Sequence, residues 1–136
     1  MVDALQDPRQ ALYERYLAVP PHRRAEIIRG TLYVSPRPAP AHANAASVLN
    51  VELGGPFQRG RGGPGGWWIL FEPEIHLTDR EPVVPDLAGW RVERLPELPA
   101  TAYFTVVPDW IGEAPSTASR DRGEKLPLYA EHGVKH

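Results

Sequence analysis

Residues 81–90 read Glu-Pro-Val-Val-Pro-Asp-Leu-Ala-Gly-Trp, and residues 103–113 read Tyr-Phe-Thr-Val-Val-Pro-Asp-Trp-Ile-Gly-Glu. Valine and aromatic side chains bounded by proline and glycine predict a strand in each segment. The first strand carries Asp86 near its middle, and the second ends on Glu113, 27 residues later. Two carboxylates on neighbouring strands can converge on one point. Such a pair of hard oxygen donors suits a divalent cation like Mg²⁺, which keeps several of its waters. A lysine beside the pair would orient a water or offset charge developing on a phosphate, and Lys125 is the nearest candidate downstream. On spacing alone a plainer reading stands beside this one, with Asp86 a turn residue and Glu113 a surface carboxylate.

Upstream, residues 67–77 (WWILFEPEIHL) predict a further strand, which Pro73 assigns to an edge or a bulge. Glu72, Glu74 and His76 alternate along it and share one face if no bulge intervenes, as a ligand set or as a solvated face. Residues 26–34 predict two short strands turning at Arg29-Gly30. Glu26 opens that hairpin and either reaches the metal position or lies on an exposed edge. Residues 8–18 predict a short amphipathic helix with Pro8 in its first turn, and residues 118–131 a last helix that Pro127 starts or kinks. Residues 41–53 predict a helix with Ala45, Val48, Leu49 and Leu53 on one face. His42 and Asn44 open it, where capping or a surface position is the plain reading.

Residues 54–66 (GGPFQRGRGGPGG) hold seven glycines and predict a mobile loop carrying Arg59 and Arg61. The loop matches neither the P-loop nor the dinucleotide pattern. Folded toward the last helix, it would join Arg59 and Arg61 to Arg120, Arg122 and Lys125 in a basic patch suited to phosphates; scattered arginines otherwise serve solvation. Trp67, Trp68, Trp90 and Trp110 fall in predicted strands and are expected in the core. The order of elements predicts one mixed α/β or α+β domain with helices against a sheet.

A chain of 136 residues suits a single domain, and its 42% hydrophobic and 24% charged residues suit a soluble globular one. The absence of cysteine excludes disulfides, thiolate zinc sites and a cysteine nucleophile. A formal net charge of −2 provides no global basic field, so a DNA partner would need a local basic patch. No apolar run approaches the roughly 18 residues of a membrane span, and the first ten residues lack a basic start followed by an apolar stretch. The expected location is therefore cytoplasmic.

Four stretches, AEIIRGTLYVSPRPAPAH, GPFQRGRGGPGGWWILFEPEIHL, VVPDLAGWRVERLP and PDWIGEAPSTASRDRGEKLPLYAEHGVKH, resemble the Uma-two family of endonucleases, in the restriction-endonuclease-like PD-(D/E)XK superfamily. The resemblance runs from about Tyr13 to His136. It implies a nuclease fold with a small mixed sheet flanked by helices, and Mg²⁺ or Mn²⁺ held by Asp86 and Glu113. Lys125 matches a family lysine on the following helix, because the motif position two residues after Glu113 is Pro115. Glu26 lies on the early element that can add a carboxylate, while Glu74 and His42 would be peripheral. The implied reaction is hydrolysis of DNA phosphodiester bonds, by an active enzyme or by one whose fold survives as a silent binding module. Homodimers are common in such a family. Relatives carry a longer segment after the glutamate and a further apolar strand beyond the position of His136, so a C-terminal strand is expected to be missing here.

Overall fold

The computed structural model describes residues 7–114 and 124–136. The first helix, α1 (Pro8–Leu17), begins where Asp7 accepts a hydrogen bond from the Arg9 amide and Pro8 pre-sets the first turn. Strands β1 (Arg24–Ile28) and β2 (Thr31–Ser35) pair antiparallel and turn through Arg29 and Gly30, both with positive φ, as a two-residue type I′ hairpin requires. Helix α1 docks by its tyrosines. Tyr16 donates to Glu74, and the Tyr13 ring meets the His76 ring edge-on at 6.0 Å.

Helix α2 (Pro40–Leu53) runs straight into a π-helical turn, Gly54–Gln58. The first five residues of the predicted loop over 54–66 are thus helical, and 59–66 form a loop as expected. The Gln58 side chain accepts the Ile69 amide at 2.8 Å, Gly65 N donates to Pro56 O at 2.9 Å, and Val92 N donates to Gly66 O at 2.9 Å. These bonds close the segment on itself and onto the neighbouring sheet rather than toward the last helix.

The predicted strand over 67–77 divides into β3 (Trp67–Phe71) and β4 (Ile75–Thr78). Glu72 takes a φ of 47° and Pro73 has no amide to offer a ladder, so the chain turns away there. Hence Glu72 and Glu74 do not sit on one continuous strand face. The strand over 81–90 likewise divides, into β5 (Glu81–Val83) and β6 (Leu87–Arg91), and Asp86 lies in the break between them rather than in mid-strand. Of the strand over 103–113, only β7 (Trp110–Gly112) is regular; Phe104 makes a parallel bridge to Ile75. The sheets are short and antiparallel, in the orders β1-β2, β3-β6-β7 and β4-β5, linked by that bridge and by β5 lying against β1. Helix α3 is Leu126–Glu131 with Pro127 in its first turn; the earlier part of the predicted last helix falls outside the described residues.

Ile28, Ile75, Val83, Ala88, Trp90, Leu128 and Tyr129 fill the core between these elements. Trp90 is fully buried, stacks on Phe104 at 4.2 Å and donates its indole N–H to Val106 O at 2.8 Å. Trp67, Trp68 and Trp110 are only half-buried. Among the described residues, no helix is long and apolar enough to cross a membrane.

Trp110 and Gly112 share one face of β7, two residues apart. A Cβ at 112 would lie 2.5 Å from the Trp110 ring, which lies over the glycine. Gly112→Ala therefore forces the ring out of its packing. The expected loss is about 1–3 kcal/mol, seen as a lower urea midpoint with an unchanged slope. A wild-type midpoint would show that the ring swings clear without cost.

Candidate functional site

Three carboxylates and three basic side chains meet where β1, the β5–β6 break, the end of β7, the first turn of α2 and the start of α3 come together. Alternation along β1 puts Arg24 and Glu26 on one face. The break at Val84-Pro85 turns Asp86 inward, and Glu113 follows directly on β7.

Asp86 is 3% exposed. Its Oδ1 accepts from Arg24 Nη1 at 2.9 Å and lies 3.0 Å from His42 Nε2, while Oδ2 accepts the Ala114 amide at 2.7 Å. Glu113 Oε1 receives Lys125 Nζ at 2.9 Å and the Tyr129 hydroxyl at 2.9 Å, and its Oε2 receives the Asp86 amide at 3.4 Å. Lys125 is fully buried, and its Nζ also lies 2.7 Å from Glu26 Oε1 and 3.4 Å from Val84 O. Glu26 Oε1 accepts the Val84 amide as well, at 2.8 Å, and Arg24 donates to Val84 O. Thus both backbone groups of Val84 are satisfied by side chains of the site, which is what holds the break open. Tyr33 anchors the approach to Lys125 by donating to Glu124 at 2.9 Å.

Of the residues singled out in the sequence, Asp86, Glu113, Lys125, Glu26 and His42 are brought together. His42 is therefore part of the cluster rather than a peripheral cap. Glu74 is not part of it: its carboxylate takes the Tyr16 hydroxyl and lies 2.9 Å from His76 Nε2. Arg59 and Arg61 are exposed on the glycine segment. Arg120 and Arg122 lie outside the described residues. Two members of the cluster, Arg24 and Tyr129, escaped the sequence reading. Both had a signal. Arg24 precedes Glu26 by two on a strand, and Tyr129 follows Lys125 by four at a helix start, so each pair shares a face.

A family model named Uma2, described as "Putative restriction endonuclease", matches residues 11–136. Among solved structures, the chain is similar to a "putative nuclease belonging to DUF820" from Anabaena variabilis. The two share 19% identity with a TM-score of 0.70, over 90% of this chain and 69% of that one. At that identity the likeness concerns the fold. None of the curated proteins matches the chain.

The two carboxyls at the centre have different electrostatic fates. Burial pushes Glu113 up to about 7, with the neighbouring Asp86 adding to the rise and Lys125 opposing it. Burial also works against ionisation of Asp86, but the hydrogen bond and charge of Arg24 outweigh it and hold Asp86 below the usual carboxylate range. Burial and the adjacent Glu113 raise the Tyr129 hydroxyl well above its ordinary value, so it stays a donor. The folded Glu113 thus binds its proton more tightly than the unfolded chain, whose ordinary value is 4.5. Its contribution to stability is complete below about 4.5 and is lost as pH rises toward 7. Glu113→Gln removes this titration. In EDTA the variant is expected to gain stability over the wild type between pH 5 and pH 8, by at most about 3 kcal/mol. Thermal midpoints across that range check it, and a difference that stays flat with pH would show Glu113 ionised throughout.

Proposed function

The chain belongs to the Uma2 family and has a nuclease-type α+β fold, and on that footing we propose that it is a divalent-metal-dependent endonuclease hydrolysing DNA phosphodiester bonds at the Asp86–Glu113–Lys125 centre. The observation that carries this reading is the fully buried Lys125 ammonium between Glu26 and Glu113, at 2.7 and 2.9 Å, beside the Asp86 carboxylate. Burying an ion pair costs several kcal/mol per charge, and well-packed apolar side chains of similar volume often serve stability as well or better. A core that keeps three carboxylates, an arginine and a lysine is therefore better explained by chemistry than by stability.

The donor set fits a hard cation. A carboxylate offers about four lone-pair sites. Asp86 and Glu113 each use three: two on Oδ1 and Oε1, and one on Oδ2 and Oε2. The fourth on each is taken by the hydrogen bond between the two carboxyls, so a cation would displace the proton they share and take its place on both. Among the described residues, no group of three or more His, Cys, Asp and Glu is arranged to hold a metal ion, so these two carboxyls would be the protein's share of a largely hydrated Mg²⁺ or Mn²⁺. When bound, such a cation makes water a stronger acid and offsets charge on phosphate oxygens. The chain's own groups do the rest. Arg24 and His42 fix the rotamer of Asp86. Tyr129 fixes the rotamer of Glu113 through its hydroxyl. Lys125 supplies positive charge to a phosphate oxygen or orients the water.

One observation favours a second reading, a silent binding module on the same fold. Arg24 and His42 already occupy Asp86 Oδ1, so the pair is partly compensated without a metal.

Purified protein with Mg²⁺ or Mn²⁺ is expected to nick supercoiled plasmid. Asp86→Ala should abolish nicking, and Lys125→Met should slow it by at least about 100-fold. No cleavage with either metal across a range of salt would count against the nuclease. Calorimetry with Mn²⁺ separates the two readings: heat that disappears in Asp86→Ala and Glu113→Ala supports the metal centre, and a flat wild-type titration supports the silent module.

A further inference from the structure

The β1–β2 hairpin has two faces. Glu26 and its partner Tyr33 face the carboxylate centre, whereas Ala25 with Val34 and Ile27 with Leu32 face the other way. On that second side a groove of about 530 Å³ opens between the end of α1, residues 18–23 and β2. Its walls carry Arg15, His22 and Arg23, and Leu32 and Val34 lie among its apolar lining; among the described residues no carboxylate lines it. Arg24, Arg29, Arg80 and Arg94 each have a carboxylate within 4.0 Å. Arg15 and Arg23, like Arg9, Arg37, Arg59, Arg61 and Arg91, have none among the described residues, but of these only Arg15 and Arg23 line this concavity with its apolar floor. On a chain of net charge −2, two arginines and a histidine around one concavity, with no carboxylate among its described lining residues, form a seat for an anion.

The lining also specifies which anion. Guanidinium forks match the oxygens of a phosphate. Aliphatic side chains between them match a sugar or a base face, and they offer no polar group to read base edges. Most of the lining residues are exposed, so this is an open surface groove rather than an enclosed pocket, the form that one unit of a longer chain can enter and leave. A nucleotide unit repeats this alternation of phosphate and apolar body, and an acidic peptide does not. Adjacent residues join the two faces: Arg24, the first residue of β1, reaches Asp86 at 2.9 Å, and Arg23 just before the strand lines the groove. A duplex, stiff over about 150 base pairs, does not bend around one hairpin, but a single strand does. Resting on the nuclease reading above, we propose that the groove seats a nucleotide of the single strand that runs on from the carboxylate centre, without regard to base sequence.

The test is binding, in EDTA, of a fluorescein-labelled 12-nucleotide single strand to the full chain, read by anisotropy. Arg15→Ala/Arg23→Ala is expected to weaken binding about tenfold or more and to reduce the log K against log salt slope by about 1.4, since each single-strand phosphate contact contributes about 0.7. Val34→Trp, which fills the groove without changing charge, should weaken binding with the slope nearly kept. Wild-type affinity and slope in both variants would overturn the proposal. So would equal affinity for a blunt duplex of the same length, for polyglutamate, or for free dAMP, which would mark the groove as a general anion or mononucleotide site. Nicking and Mn²⁺ calorimetry do not enter this measurement, so failure of the nuclease reading and failure of the groove are seen separately.

Discussion

A single buried ammonium ties the molecule together. Lys125 Nζ is held by Glu26 from β1, by Glu113 from the end of β7 and by the Val84 carbonyl from the β5–β6 break. Those elements belong to different sheets, and no ladder joins β1 to β7. With the desolvated charge in place, each partner must be present and correctly aimed, because an uncompensated buried charge costs about 3–5 kcal/mol. The ammonium therefore fixes the relative placement of strands that the backbone leaves unpaired. The same demand opens the chain at Val84, whose amide and carbonyl serve Glu26, Arg24 and Lys125 instead of a neighbouring strand.

That arrangement sets stability against readiness. A Glu113 carboxyl that titrates near 7 is a liability to the folded state above neutrality, when it must ionise beside Asp86 in a buried setting. Arg24 relieves Asp86 but does not contact Glu113 through any described hydrogen bond or ion pair. The cost of burial therefore falls on one carboxyl, Glu113, which is hydrogen-bonded to its neighbour Asp86. Functional sites commonly hold such unfavourable charge at some expense to the fold.

The legible parts of this fold were those with local causes. Pro8 with Asp7, and Arg29 with Gly30, encode a helix start and a hairpin in a few residues, and both occur where expected. The disturbance at 72–74 was announced by Pro73, whereas the break at 84–86 was not read. Pro73 and Pro85 announce a disturbed strand, but only distant partners determine which way the next side chain turns. For Asp86 those partners are Arg24, 62 residues away, and His42, 44 away. The glycine segment was read correctly as a loop over 59–66 and wrongly at its start, where 54–58 extend α2 as a π-helical turn and Gln58 accepts the Ile69 amide, a partner that composition does not announce. The site divides in the same way. Spacing alone left Asp86 and Glu113 ambiguous, and family resemblance singled them out together with Lys125. His42 looked like a helix cap because nothing local distinguishes a capping position from one that points across the fold.

The position of the carboxylates at breaks rather than in strands follows from what the site needs. In a regular strand a side chain stands roughly perpendicular to its sheet, and its direction is set by the pleat. Directly opposite residues on two strands of one sheet stand about 5 Å apart at Cβ, near enough to converge, but the pleat fixes the direction of each. Leaving the ladder frees both φ and ψ to aim the carboxyl, and it exposes backbone groups that must find partners. Here the partners come from the site itself: the Asp86 amide bonds Glu113, and the Ala114 amide bonds Asp86. The two carboxylates thus hold each other's backbone in the conformation that aims them. A change to either one reaches the other through the main chain, so the pair behaves as one structural unit before any ligand arrives.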